Sequence, residues 1–252
     1  MQQGPQIQMS MPLTYVVKRL IIVNVAIWVL GVIILQSVMG KPWAIAYLGL
    51  TPYRLITDFW VWQPFTYMFL HSSNIFHILF NMFILWWAGG ELENHWGRKN
   101  FLKYYLVTGF GAAFIYILGV TAYYLITQNS VPMGTPVIGA SGAVFGLMLA
   151  YGIIFGERTI YFMALFPMKA KHFVMLLGAI EVFTLLNDGF SSGVANLCHI
   201  GGILVGYLYL VIWARLRRSG AKKSKKGGPK GNLRLVVDNE NNESDDGPRY
   251  WN

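Results

Sequence analysis

Apolar runs close to the length of a bilayer span recur along this chain, and no other feature limits its folding so sharply. The hydrocarbon core is about 30 Å thick and takes roughly 20 helical residues, fewer where neighbouring helices shelter the span. Six candidates fall at about 20–39, 74–90, 101–127, 140–156, 173–187 and 196–214. Only 12% of the residues are charged, against roughly a quarter in a soluble domain. The expected fold class is therefore an all-α membrane protein, a bundle of six transmembrane helices. The fourth and fifth runs are short and interrupted by glycine, which argues for burial among other helices. Residues 40–73 form a long first loop rich in Trp, Tyr, Phe and Pro, a composition suited to lying at the interface.

Three regions follow. Residues 1–19 are an N-terminal segment, 20–214 the membrane domain, and 215–252 a basic then acidic tail expected to be disordered for want of apolar residues. A net charge of +9 would suit nucleic acid, but all of the 20 Lys and Arg except Lys41 and Arg54 fall on one side of the six-span topology. The positive-inside rule makes that side cytoplasmic, with both termini there. Nucleic acid is thus not an expected partner, whereas membrane lipid is, and the basic tail is suited to anionic headgroups. The single cysteine, Cys198, allows no internal disulfide, and no Cys/His cluster has ligand-like spacing, so neither a metal nor another cofactor is expected. The first run is too long for a cleavable signal and no small-residue cleavage pattern follows it. With no organelle-targeting features, the expected location is a bacterial inner membrane.

Polar side chains inside spans are costly and are candidate functional groups by default. Ser141 lies in Gly139-Ala140-Ser141-Gly142, a small-residue turn that opens the fourth run. The glycines leave its hydroxyl uncovered, although a serine there is also an ordinary helix cap. His77 and Asn81 are four apart and share a helix face. Each alone suits an interhelical hydrogen bond; together they offer the donors of an oxyanion hole. His199 is followed by Gly202 and Gly206 on one helical face, and Gly142 and Gly146 make a matching face on the fourth run. Helices packed glycine to glycine come close enough for Ser141 to meet His199. Depth agrees: each lies sixteen residues before the first charge at its inner helix end, Glu157 and Arg215, or about 24 Å above that boundary. His77 comes out at about 21 Å by the same rise.

A serine hydroxyl needs a base to become a good nucleophile, and His199 is the candidate at that depth. No carboxylate is expected to orient the imidazole, which leaves a Ser–His dyad held by packing. Glu181, the one carboxyl deep in a span, is read as a structural hydrogen-bonding group. Phe145, one turn below Ser141, is placed to stack on the His199 ring. The oxyanion hole would combine the Ser141 N–H, the positive end of the fourth helix, His77 and Asn81. His95 and His172 are read as structural or solvated.

These residues resemble the rhomboid family of intramembrane serine proteases. The matching pieces are Gly-Ala-Ser-Gly at 139–142, His77-Ile-Leu-Phe-Asn81, and His199 with Gly202 and Gly206. Trp62-Gln63-Pro64 resembles the family's Trp-Arg loop motif, with Gln for the usual Arg. The resemblance implies a six-helix core, a Ser141–His199 dyad, His77 and Asn81 in the oxyanion hole, and movement of the fifth helix to admit transmembrane protein substrates. Three positions depart from the pattern. His71 lies six residues before His77 rather than the usual five, Cys198 replaces an alanine, and Phe145 stands where some members have Tyr. The function expected is serine endopeptidase activity on transmembrane helices near the outer face. The alternatives are a non-catalytic rhomboid-like protein that binds membrane helices, and a small-solute transporter, for which neither deep polar groups nor repeat symmetry is evident.

Overall fold

The computed structural model describes residues 12–162, 166–192 and 194–226. The chain starts with α1 (Tyr15–Ile27), which continues as wider π-helical turns over Trp28–Val38. The first loop then folds into three short helices, α2 (Trp43–Leu48), α3 (Pro52–Thr57) and α4 (Gln63–Thr66). Next come α5 (Ile75–Trp96), α6 (Arg98–Thr127), the single turn α7 (Val131–Gly134) and α8 (Ser141–Ile154). An antiparallel hairpin of β1 (Thr159–Phe162) and β2 (Phe166–Lys169) precedes α9 (Ala170–Ser192) and α10 (Val194–Lys226).

Among the described residues, five helices are long and apolar enough to cross a membrane: Tyr15–Val38, Ile75–Trp96, Arg98–Thr127, Ala170–Asn187 and Ala195–Arg217. The sixth expected span, α8, has 14 residues, or about 21 Å at the helical rise. Such a helix suits a position inside the bundle, and most of its side chains are buried against α5 and α6. Outward faces carry exposed Val23, Phe83, Phe114, Met175, Phe183 and Leu204, an apolar surface too extensive for a soluble monomer.

Three arrangements hold the frame around α8. The buried Glu93 carboxylate, late in α5, accepts the backbone N–H groups of Val16 and Val17 at 3.0 Å. It supplies acceptors to the first turn of α1, where none exist within the helix, so α1 begins at Tyr15, five residues before the expected start. In the first loop, Gln63 is fully buried and its Oε1 accepts Thr51 N–H at 3.0 Å. Trp62 Nε1 donates to the Tyr47 carbonyl at 2.9 Å, and Tyr47, Trp60 and Trp62 stack in series. That loop is tied to the segment before α8: Leu50 and Val137 exchange two backbone hydrogen bonds of 2.9 Å, and Gly139 N–H donates to the Tyr67 carbonyl at 3.0 Å.

The hairpin was not expected from the sequence. At its base, Glu157 pairs with Lys169 at 2.5 Å and with Lys171, and the two ammonium groups hold its carboxyl down to about 2. Arg158 pairs with the buried Glu91 of α5 and lies 4.1 Å over the Phe155 ring. Helix α10 also runs to Lys226, beyond the expected end of the last span near 214. Residues 227–252 of the expected disordered tail, and 1–11 of the N-terminal segment, lie outside the described residues.

Candidate active site

Helices α8 and α10 pack backbone to backbone. A Cβ added to Gly202 would stand 1.9 Å from the Gly142 carbonyl oxygen, and one on Gly206 would stand 3.4 Å from Gly146 Cα and 2.5 Å from Tyr104 Oη. No side chain other than hydrogen fits at Gly202 without moving a helix. This approach carries His199, one turn earlier on α10, to Ser141 at the first turn of α8. Ser141 Oγ and His199 Nε2 are 2.8 Å apart, a good hydrogen-bond distance. Phe145 stacks on the imidazole with centroids 4.4 Å apart and planes 14° apart. Cys198 is buried, with its sulfur 3.6 Å from Tyr67 Oη.

His77, near the start of α5, reaches the same place. Its Nδ1 accepts the Ser72 backbone N–H at 3.2 Å, so in the neutral ring the proton sits on Nε2. That Nε2 lies 2.9 Å from where a Cβ on Gly139 would stand, and Ser141 Oγ lies 3.4 Å from the same point. Gly139 has φ of +128°, a conformation that favours glycine. It therefore serves twice, in turning the chain and in leaving the space between ring and hydroxyl open. Asn81, nearly fully buried, donates one amide N–H to the His77 carbonyl at 2.8 Å, which leaves its second N–H as the donor a ligand can use. His71, fully buried, packs edge-on against His77 with centroids 5.1 Å apart.

A cavity of about 280 Å³ opens among these groups, with His77, Asn81, Ser141, Phe145, Glu181 and His199 in its wall. A water takes about 30 Å³, so several waters, or a short peptide segment and one water, fit there. Its walls bring donors, a hydroxyl and an imidazole to one volume, the parts needed for attack on a carbonyl.

One sequence expectation is overturned. Glu181 of α9 is not remote from the imidazole: its Oε2 is 2.9 Å from His199 Nδ1 and accepts Asn196 Nδ2–H at 2.8 Å. Depth along single helices says nothing of how α9 leans on α10, and it is that lean which brings the carboxylate to the ring. The usable signal was chemical: a lone carboxyl within a span needs a donor, and Asn196 and His199, three apart, offer two from one helix face.

An integral membrane protein with a serine-bearing cavity, largely apolar with a few convergent polar groups and walled by α5, α8, α9 and α10, is thus defined. Residues 18–231 match the family described as "Eukaryotic integral membrane protein (DUF1751)", and the chain belongs to this rhomboid-like family. It is 28% identical over 211 residues to "Rhomboid protease AarA" of Providencia stuartii, covering 79% of this chain and 73% of that protein. It is 29% identical over 213 residues to "RHOMBOID-like protein 12, mitochondrial" of Arabidopsis thaliana, covering 81% and 59%. With "Rhomboid protease GlpG" of Salmonella choleraesuis (strain SC-B67) it shares 29% over 181 residues, covering 69% and 56%. The chain thus spans less than two thirds of the last two relatives.

Proposed function

We propose that this protein is an intramembrane serine endopeptidase that cuts transmembrane segments near the outer face of the bilayer. The observation that carries the reading is the 2.8 Å contact of Ser141 Oγ with His199 Nε2 on the wall of a cavity that His77 and Asn81 also line. In the first step the hydroxyl proton passes to His199 Nε2 while Oγ bonds to the scissile carbonyl carbon. The oxyanion is met by the Ser141 backbone N–H, which has no acceptor within α8, with His77 Nε2–H and Asn81 Nδ2–H. The amine then leaves with the proton from His199, and water attacks the acyl ester with the same imidazole as base. Substrate enters past α9, of whose Ala170–Asn187 span only 11% is buried. A substrate helix must unwind locally, because its peptide groups are otherwise hydrogen-bonded within it.

Both termini are assigned to the cytoplasm on the charge asymmetry. A bacterial inner membrane is the compartment proposed, on likeness to AarA and GlpG and against the eukaryotic description of the family; fractionation of the source cell decides between them. The central test is cleavage of a model transmembrane substrate by purified protein. Ser141→Ala and His199→Ala are each expected to abolish cleavage and fluorophosphonate labelling while the protein still folds. Full activity in Ser141→Ala would overturn the reading. A wild-type protein that binds the substrate but neither cuts it nor labels would make it a helix-binding member of the family instead.

A further inference from the structure

We infer that Glu181 is the positioning residue of a Ser141–His199–Glu181 relay, and that Asn196 holds its carboxylate in register. The inference rests on the proteolytic reading above and extends it, since that reading requires only the serine and the histidine.

A carboxyl group within a span is costly unless donors surround it. The Glu181 side chain is 14% exposed and that of His199 18%. Among the described residues, Glu181 Oε2 receives two donors, Asn196 Nδ2–H at 2.8 Å and His199 Nδ1 at 2.9 Å. Asn196 and His199 both sit on α10, so the carboxylate is gripped by one rigid face. If Glu181 served only to join α9 to α10, Asn196 would suffice, and the carboxylate would have no reason to lie against the ring nitrogen opposite the serine.

The chemical consequence concerns the tautomer. A neutral imidazole carries one proton. When Nδ1–H donates to Glu181, Nε2 is left with its lone pair pointing at Ser141 Oγ, the arrangement a general base requires. Phe145 stacked on the ring fixes its plane but does not discriminate between the two nitrogens. Once the serine proton has moved to Nε2, the imidazolium faces a carboxylate, and the positive charge is matched where it forms. The serine, the base and the orienting group come from α8, α10 and α9, so the relay is complete only while α9 is seated against α10.

The test compares Glu181→Gln and Glu181→Leu with wild type and Ser141→Ala, in detergent and in liposomes. Gln keeps an acceptor oxygen without the charge; Leu removes both and suits a membrane helix. The expected order of kcat is wild type, then Gln, then Leu. The Leu variant should lose between roughly 100-fold and the roughly 10⁴-fold seen when the third member of such a triad is altered. KM should change by less than about threefold, and fluorophosphonate labelling should slow in parallel. Wild-type kcat and labelling in both variants, with Ser141→Ala inactive, would overturn the relay and leave the protease reading intact. Activity in Ser141→Ala would instead remove that reading itself. Where a variant does not fold, the wild-type protein decides. With ¹⁵N-labelled histidine, the His199 signals, assigned by their loss in His199→Ala, should show the proton on Nδ1, and a proton on Nε2 would refute the inference.

Discussion

Replacing Gly202 by alanine tests the packing on which the site depends. The new Cβ would stand 1.9 Å from the Gly142 carbonyl oxygen, a backbone atom that cannot turn aside. Restoring a contact of about 3 Å requires α8 and α10 to separate by roughly 1.1 Å. His199 lies one turn from Gly202, so its 2.8 Å hydrogen bond to Ser141 would stretch toward about 3.9 Å, beyond a hydrogen bond. Misplacement of a catalytic pair by about 1 Å can cost roughly 100-fold in rate, and overpacking of this kind costs about 1–3 kcal/mol in stability. The assay is kcat on a transmembrane substrate beside a thermal melt in the same detergent. Gly178→Ala is the control, because its Cβ would make an ordinary 3.8 Å contact with Ile203, and its melt and rate should match wild type or slightly exceed it in stability. Wild-type kcat in Gly202→Ala would show that helix approach at this point does not set the Ser141–His199 distance.

Further outcomes are expected. Gly139→Ala combines an unfavourable φ of +128° with a Cβ 2.9 Å from His77 Nε2, so cleavage should fall more steeply than the melting temperature, read on the same preparation. Gln63→Leu leaves the Thr51 N–H buried without its acceptor, at a cost of about 1–3 kcal/mol that should appear as a lower melting temperature with the substrate KM little changed. The Glu157 carboxyl is depressed to about 2 by Lys169 and Lys171. Its pairing therefore stabilises the hairpin fully above the unfolded value of about 4.3 and is lost as pH falls toward 2. Hydrogen exchange at the base of β1 and β2, corrected for intrinsic rate, should be flat from pH 7 to about 5 and accelerate below 4. High salt should weaken the effect, because these groups are exposed.

The long spans were readable because lipid demands continuous apolar length, and Ile75–Trp96 and Arg98–Thr127 meet that demand without help from any other part of the chain. Helix α8 is less apparent by length, and its place is marked instead by Gly142 and Gly146, which have meaning only beside Gly202 and Gly206. The hairpin of β1 and β2 escaped notice because a four-residue strand carries too little alternation to stand out, and the ion pairs at its base join Glu157 to Lys169 and Lys171, residues twelve and fourteen further on. Glu181 was visible as an oddity, yet its partner was not, since the lean of one helix on another is a property of packing and not of spacing. The start of α1 was missed for a similar reason: Glu93, some 77 residues away, supplies the acceptors for Val16 and Val17.

Only Gly97, at φ of +78°, separates α5 from α6. A joint of one residue has no slack, so α5 cannot shift along its axis without drawing the start of α6 with it. The two therefore form a folded-back pair, joined at a turn that carries Arg98 and Lys99. His77 and Asn81, near the far end of α5, thus keep their height relative to α6 when other helices move.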